Sequence, residues 1–134
     1  MPRLVALVLL VGCTGFGHAS VWRSPNNPDL VSGENVYQRC IACHSLDRNR
    51  TGPKHCGVFG RAAGAVPEFG YSDALRRSGI VWTEEVLDKF LADPLATVPG
   101  TTMGFAGIKD DEERRSIIEY LKYASRELCN GNSR

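Results

Sequence analysis

The sequence of 134 residues predicts an all-α protein with four or so helices joined by long loops. Segments 83–94 and 110–128 place apolar residues at helical spacing, the first after a capping Thr83 and the second after acidic residues that favour a helix start. Segment 47–70 is rich in Gly, Arg and Pro without sustained periodicity, which predicts loops. No stretch alternates apolar and polar residues as a strand does. The length suits one domain with a single core.

The N-terminal segment predicts export from the cytoplasm. Arg3 precedes an apolar run, residues 4–11, which is too short to span a bilayer and is typical of an export signal. Removing that segment leaves equal numbers of basic and acidic residues, so the mature chain is close to neutral. Nucleic acid is therefore not an expected partner.

Two processing sites for this signal stay open. The stretch GHAS allows cleavage after Ala19, with residues 1–19 as the signal. The stretch LVGC resembles a lipobox, in which residues 1–12 are removed and Cys13 is lipidated to anchor the protein to a membrane. The position of LVGC at the end of the apolar run favours lipidation. Either site explains the odd number of cysteines in an exported chain.

The next segment is expected to be a tether, residues 20–31, because VWRSPNNPDL carries several Pro and Asn turn signals. The domain is then expected to span residues 32–134. Ser32 is the expected N-cap of a first helix that runs through Tyr37 into the motif that follows.

Three further helices are expected along the chain. YSDALRRSG predicts a short helix of two turns or so, capped by Ser72. WTEEVLDKFLADP predicts a helix that is capped by Thr83, carries acidic residues in its first turn and ends at Pro94. The last helix is expected to begin near Asp110 and to end near Leu128.

A cofactor motif follows the first helix. RCIACHS, residues 39–45, places Cys40 and Cys43 three positions apart with His44 directly after them. Cys-x-x-Cys-His is the signature of c-type haem attachment, in which the cysteines form thioethers and the histidine binds the iron. On a helical turn the two sulfurs share one edge while the imidazole projects toward the metal.

Two other kinds of site use part of this pattern. A thioredoxin-like redox pair expects a βαβ setting, and nothing upstream of Cys40 predicts a buried strand. A structural zinc site would need a second pair of ligands at short spacing. The remaining residues of these types are not spaced as such a pair: Cys13, His18, His55, Cys56 and Cys129. Haem is therefore the favoured interpretation.

Met103 is the expected second ligand of the iron. Once Met1 is removed with the signal, Met103 is the single methionine of the mature chain, in the loop VPGTTMGFAGI. A thioether is a soft ligand that favours reduced iron and raises the reduction potential. His55 is the rival, but its nearness to His44 in sequence makes the opposite face of the porphyrin harder to reach.

The chain resembles the class I c-type cytochromes, close to the mitochondrial and photosynthetic-bacterial group, over about residues 32–125. The stretches that carry the resemblance are, in order, CIACH, TGP, GVFGR, FGYSDALRRSGIVWTEE, FLADP, VPGTTMGFAGI and IIEYLK. Such an ordered series is far more specific than a lone haem motif. The resemblance implies the class I cytochrome c fold, with four or so helices and long loops wrapped around one covalently bound haem c.

The resemblance implies roles for residues at matching positions. His44 and Met103 match the axial iron ligands, and Pro53 matches the residue whose carbonyl accepts a hydrogen bond from the histidine's other nitrogen. Three residues match those that hydrogen-bond or neutralise a buried haem propionate: Arg61, Tyr71 and Trp82. Residues of the first and last helices are expected to meet where the helices cross: Gly33, Tyr37, Ile117 and Tyr120.

The resemblance also implies a disulfide. Cys129 follows the last helix, and in this fold the end of that helix lies near the loop that holds Cys56. We therefore expect these two cysteines to pair in an oxidising compartment.

Some positions depart from the family's pattern. Phe90 stands where the family often has a tyrosine whose hydroxyl reaches the methionine sulfur, and His55 occupies a usual leucine position. Lysines that ring the exposed haem edge in mitochondrial members are mostly missing, because Leu95, Ala96 and Thr102 occupy three such places. Electrostatic docking to an acidic partner is thereby weakened.

The expected function is one-electron transfer by a periplasmic carrier, free or tethered, whose iron is bound by histidine and methionine. Expected partners are redox proteins such as a quinol-oxidising complex, a terminal oxidase or a periplasmic dehydrogenase. An enzyme is not expected, since two protein ligands leave no vacant iron position. The alternatives are a small peroxidase-like or sulfur-compound-oxidising haem enzyme, a haem-based gas sensor, and a dedicated haem subunit of an oxidase or dehydrogenase.

Overall fold

A computed structural model of the protein describes residues 27–130. The expected export signal, with its alternatives at Ala19 and Cys13, lies outside the described residues. Within the described part, none of the helices combines the length and apolar character needed to cross a bilayer.

Five α-helices and a π-helical turn make up the regular structure of residues 27–130. They are α1 Pro28–Tyr37, α2 Asp73–Arg76, α3 Glu84–Ala92, α4 Pro94–Thr97, α5 Asp111–Tyr123 and the π-helix Ala124–Leu128. Between residues 27 and 130 there is no strand, and a single isolated bridge joins Ala62 to Val81. The all-α prediction is confirmed.

Helix α1 begins earlier than expected. The backbone N–H of Asp29 donates to the Asn27 side chain at 3.0 Å, so Asn27 is the N-cap. Pro28 takes the first helical position, where its fixed φ suits the helix and no N–H is needed. The prediction that Ser32 caps the helix is therefore wrong, because the same Asn and Pro residues that indicate a turn also begin a helix.

The cofactor motif follows α1 as a series of turns and not as a continuation of the helix. Arg39 N–H donates to Val36 at 3.0 Å and Cys40 N–H to Tyr37 at 2.8 Å, both across three residues. The prediction that the helix continues into the motif is wrong in this respect. Hydrogen bonds between residues i and i+3, as in a 3₁₀-helix, wind the chain more tightly at the end of an α-helix.

The other predicted caps are present. Ser72 and Thr83 each accept a hydrogen bond from the backbone N–H three residues later. Asp110, where the last helix was expected to begin, makes the same contact and is also an N-cap. Helix α2 has a single turn, so it is shorter than expected. Pro94 ends α3 as expected but also begins α4, because the Asp93 side chain accepts from Ala96 N–H at 3.0 Å.

Helices α1 and α5 cross at Gly33. A Cβ at position 33 would lie 2.7 Å from the Tyr120 Cβ, so only glycine allows this approach. The Tyr37 and Tyr120 rings pack against each other at the same crossing, with centroids 5.2 Å apart. Ile117 is fully buried in the same core. This crossing holds the end of α1, and with it the start of the cofactor motif.

The arginine that joins α5 to α3 is buried. Arg114 donates to the carboxylates of Asp88 at 2.7 Å and Asp111 at 2.6 Å. It also donates to the carbonyl oxygens of Ile108 at 2.9 Å and Lys109 at 3.1 Å. The loop before α5 is thereby fixed against α3, which carries Asp88.

Candidate functional site

The motif turn is closed by two hydrogen bonds to one carbonyl group. Cys43 N–H and His44 N–H both donate to the Cys40 carbonyl, at 3.1 and 2.8 Å. Cys40 is partly buried against the core, and burial raises the pKa of its thiol to about 11, whereas Cys43 is exposed. Neither cysteine is in a disulfide.

The imidazole of His44 is buried and oriented. Its Nδ1–H donates to the carbonyl oxygen of Pro53 at 2.8 Å, the contact that the resemblance implied. Burial lowers the pKa of His44, although the Pro53 hydrogen bond opposes this, so the ring is neutral near pH 7. The free Nε2 of such a ring carries the lone pair that a metal needs.

Gly52 is a site residue that the sequence reasoning did not single out. A Cβ at this position would lie 2.6 Å from both ring nitrogens of His44, so a side chain would displace the imidazole. The Gly52 N–H donates to the Cys43 carbonyl at 2.7 Å, which holds its backbone against the motif. The sequence feature that pointed to this residue was the glycine in the stretch TGP, directly before Pro53.

His55 lies beside His44. The two rings stack with centroids 4.2 Å apart and an interplanar angle of 21°. The His55 Nδ1 shares a hydrogen bond of 3.2 Å with the hydroxyl of Tyr37. Burial, with smaller contributions from His44 and Arg61, lowers the pKa of His55 to about 3. A ring stacked in this way does not face His44 across an iron atom, so the structure does not favour His55 as the second ligand.

Met103 lies in the loop between α4 and α5, partly buried against the core. Its N–H donates to Thr101 Oγ1 at 3.3 Å, and its carbonyl accepts from Phe105 N–H at 2.9 Å. Farther along, a Cβ at Gly107 would lie 2.7 Å from the Ala92 carbonyl carbon, and this close approach seats the loop on the end of α3.

Arg61 is partly buried and holds the loop that precedes it. Its guanidinium donates to the carbonyl oxygens of Cys56 at 2.9 Å and Lys54 at 3.0 Å. Its Nε is buried and has no partner among the residues that the structure describes. A buried donor left unpaired in this way is uncommon and costly.

The two aromatic residues predicted beside Arg61 are both buried. The backbone N–H of Trp82 donates to the Arg61 carbonyl at 3.0 Å. The Trp82 ring meets the Phe90 ring edge to face, with centroids 5.0 Å apart. Burial raises the pKa of Tyr71, while Arg61 is among the groups that oppose the rise. The structure therefore brings Arg61 together with the Trp82 backbone. Tyr71 lies close enough to Arg61 for the positive charge to act on its pKa.

Cys56 and Cys129 lie together although 73 positions separate them. Their Cα atoms are 5.6 Å apart and their sulfurs are within bonding distance, which is the arrangement a disulfide requires. The Cys56 N–H also donates to the carbonyl of Leu46 at 2.8 Å. The cysteine pair therefore adjoins the motif loop, the stretch of chain that directly follows residues 39–45.

Comparison with known proteins finds no matching family model but several close relatives. The cytochrome c2 of Blastochloris viridis is 46% identical over 97 residues, 70% of this chain and 76% of that protein. The cytochrome c type-1 of Ascaris suum is 45% identical over 97 residues, 70% of this chain and 87% of that protein. Among solved structures, cytochrome cH from Methylobacterium extorquens matches with a TM-score of 0.69 and 43% identity, covering 71% of this chain and 98% of that one.

Identities of this size over more than two thirds of these relatives establish a common family. The helical fold and the Cys-x-x-Cys-His turn agree with that relationship. The chain belongs to the class I c-type cytochromes, electron-transfer proteins with covalently bound haem.

Proposed function

We propose that the protein carries single electrons between redox partners, with one haem c attached to Cys40 and Cys43 and with His44 and Met103 as the axial ligands. The bound haem supplies an iron that changes oxidation state by one electron. The observation that carries the proposal is the hydrogen bond from His44 Nδ1 to Pro53, because it leaves Nε2 as the nitrogen available for iron.

The unpaired Nε of Arg61 supports the fit of a haem. It is a buried donor that lacks an acceptor among the described residues, and a propionate carboxylate would provide one. Tyr71 and Trp82 carry the other polar hydrogens that the resemblance assigns to this role. Arg61 lies near the loop that follows the motif, since it also binds the carbonyl of Cys56.

Met103 supports a closed iron site. A flexible thioether in a loop that is fixed at both Thr101 and Phe105 presents a ligand at small entropic cost. An iron bound by two protein side chains changes little between its oxidation states, which favours rapid electron exchange over substrate chemistry. Phe90 offers no hydroxyl to the methionine sulfur, so the hydrogen bond that the family often has at this ligand is absent.

The peroxidase-like alternative is not favoured. It would require Met103 to leave the iron and an acid–base group to stand over the vacant position. His55, the residue considered for that role, stacks against His44 and so lies on the side of the histidine ligand. We therefore propose that the protein is not an enzyme.

We assign the carrier to the periplasm, because the N-terminal apolar run is typical of an export signal. Its partners would be redox proteins such as a quinol-oxidising complex, a terminal oxidase or a periplasmic dehydrogenase. Leu95, at a position where mitochondrial members carry a lysine, is 61% exposed, so this part of the docking face is apolar. An anchor at Cys13 would suit a fixed membrane partner.

A redox titration of the matured protein, followed by visible absorption, tests the proposed function. We expect one reversible one-electron step and, with added peroxide, no sustained peroxide consumption. Met103→Ala is the matched variant, since it removes the proposed ligand and should open the iron to peroxide. Sustained turnover of peroxide by the unaltered protein would contradict the carrier function.

A further inference from the structure

His44, the proposed iron ligand, forms a continuous array with two other side chains, His55 and Tyr37. The carrier function explains only His44. His55 stacks on His44 at a centroid distance of 4.2 Å and shares a 3.2 Å hydrogen bond with Tyr37. The Tyr37 ring also meets His55 edge to face, with centroids 5.6 Å apart. We define this set of Tyr37, His55 and His44 as the ring array.

A single hydrogen bond does not fix the plane of an imidazole. The bond from His44 Nδ1 to Pro53 acts at one edge of the ring. Because a hydrogen bond tolerates a range of angles, it leaves the ring some freedom to rotate about its Cβ–Cγ bond. A contact with the face of the ring restricts that rotation. The His55 ring, tilted by only 21° from the His44 plane, makes such a contact.

His55 can perform this task only if it is itself held in place. Its backbone N–H donates to the Ser45 carbonyl at 3.0 Å, which ties it to the motif loop. At the other end, Tyr37 is 4% exposed and packs on Tyr120 at the crossing of α1 and α5, so its hydroxyl is a fixed partner. Both ends of His55 are thus anchored to rigid parts of the fold.

We propose that His55 is a positioning residue that fixes the plane of the His44 imidazole, and that Tyr37 holds His55 in place. The proposal rests on the proposed function, in which His44 binds the iron. The orientation of an axial imidazole plane sets how unpaired spin of ferric iron spreads over the porphyrin. His55 and Tyr37 would therefore influence the electronic structure of the carrier through His44, without touching the iron themselves.

Three variants of the matured protein test this role. His55→Leu removes the aromatic face at similar volume and leaves an apolar residue. His55→Phe keeps a ring but loses the hydrogen bond, and Tyr37→Phe removes only the hydroxyl. The readout is the pattern of paramagnetically shifted haem methyl resonances in the proton NMR spectrum of the ferric protein, which responds to the orientation of the axial ligands.

The proposal predicts an order of effects. His55→Leu should change the methyl pattern most, while His55→Phe and Tyr37→Phe should cause smaller changes because an aromatic face remains against His44. A wild-type pattern in His55→Leu would overturn the proposal, as would a change in His55→Phe as large as that in His55→Leu. If His55→Leu does not fold, an unchanged pattern in Tyr37→Phe overturns the role given to Tyr37, and a changed one supports it.

Visible absorption separates this proposal from the proposed function. If the unaltered protein and the variants all show iron bound by histidine and methionine, an unchanged methyl pattern overturns only the positioning role. If the unaltered protein shows an iron with another ligand set, the proposed function fails first and the positioning role with it.

Discussion

The guanidinium of Arg39 binds both carboxylate oxygens of Glu113, at 2.7 and 2.5 Å. Arg39 directly precedes the first haem-motif cysteine, and Glu113 lies in the first turn of α5. A two-point ion pair therefore joins the start of the motif to the last helix. Both side chains are partly exposed, at 50% and 36%, so the pair is screened by solvent.

The Arg39 pair predicts a dependence of stability on pH. The hydrogen bond from Arg39 lowers the pKa of Glu113 below its usual value of 4.5. A carboxyl with a lowered folded pKa stabilises the protein above the unfolded pKa, and this contribution is lost as pH falls through the folded value. We expect the stability advantage of the wild type over Glu113→Gln, measured by urea unfolding, to disappear as pH falls below 4.5.

Glu112→Gln is the control for this experiment, because Glu112 forms no ion pair with the residues that the structure describes. An advantage over Glu113→Gln that stays constant down to strongly acidic pH would contradict the role of the ion pair.

Substitution of Asn27 tests the observed start of α1. Because its side chain caps the helix, Asn27→Ala should lower the free energy of unfolding by about 1 kcal/mol. Ser32→Ala is the matched control and should have little effect, since Ser32 lies exposed inside the helix. Denaturant unfolding of the two variants decides the matter, and a larger loss in Ser32→Ala would show that the helix begins later.

Arg61 is expected to raise the reduction potential of the haem. If its unpaired Nε faces a propionate, Arg61→Leu removes a positive charge near the iron and stabilises the oxidised state. The potential should fall by an amount on the order of 1 kcal/mol, or roughly 40 mV for one electron. Potentiometric titration measures it, with Arg48→Leu as a control because the Arg48 side chain is 71% exposed. Equal potentials in the two variants would contradict the propionate contact.

The proposed disulfide between Cys56 and Cys129 predicts a pattern of alkylation. In the matured protein neither thiol should react with iodoacetamide under denaturing conditions until a reductant is added. Intact mass should then increase by two adducts, because Cys40 and Cys43 are occupied by haem. Adducts on both residues without prior reduction would show that the thiols are free. Closing a loop of this length could stabilise the protein by roughly 4 kcal/mol.

Features set by neighbouring residues were predictable from the sequence. The caps at Ser72 and Thr83 follow from a polar residue placed directly before a helical pattern, and the structure has both. The start of α1 was not predictable in the same way, because Asn27 and Pro28 suit a turn as well as a helix start. The close packing of α1 on α5 at Gly33, which the sequence does not show, adds to these local signals.

Features that depend on distant parts of the chain needed the structure. The stacking of His55 on His44 and its bond to Tyr37 join three segments, and local periodicity carries no information about such contacts. The unpaired Nε of Arg61 is likewise visible only once burial is known. The resemblance nevertheless indicated the His44 contact with Pro53, because that contact belongs to the family's pattern and not to this chain alone.

The central claim is that His44 and Met103 together close the iron site. Visible absorption of the matured protein, first ferric and then reduced under carbon monoxide, tests this most directly. The account predicts the weak red band of methionine-bound ferric iron and no spectral change with carbon monoxide, while Met103→Ala should lose the band and bind the gas. Rapid carbon monoxide binding by the unaltered protein, without the red band, would contradict it.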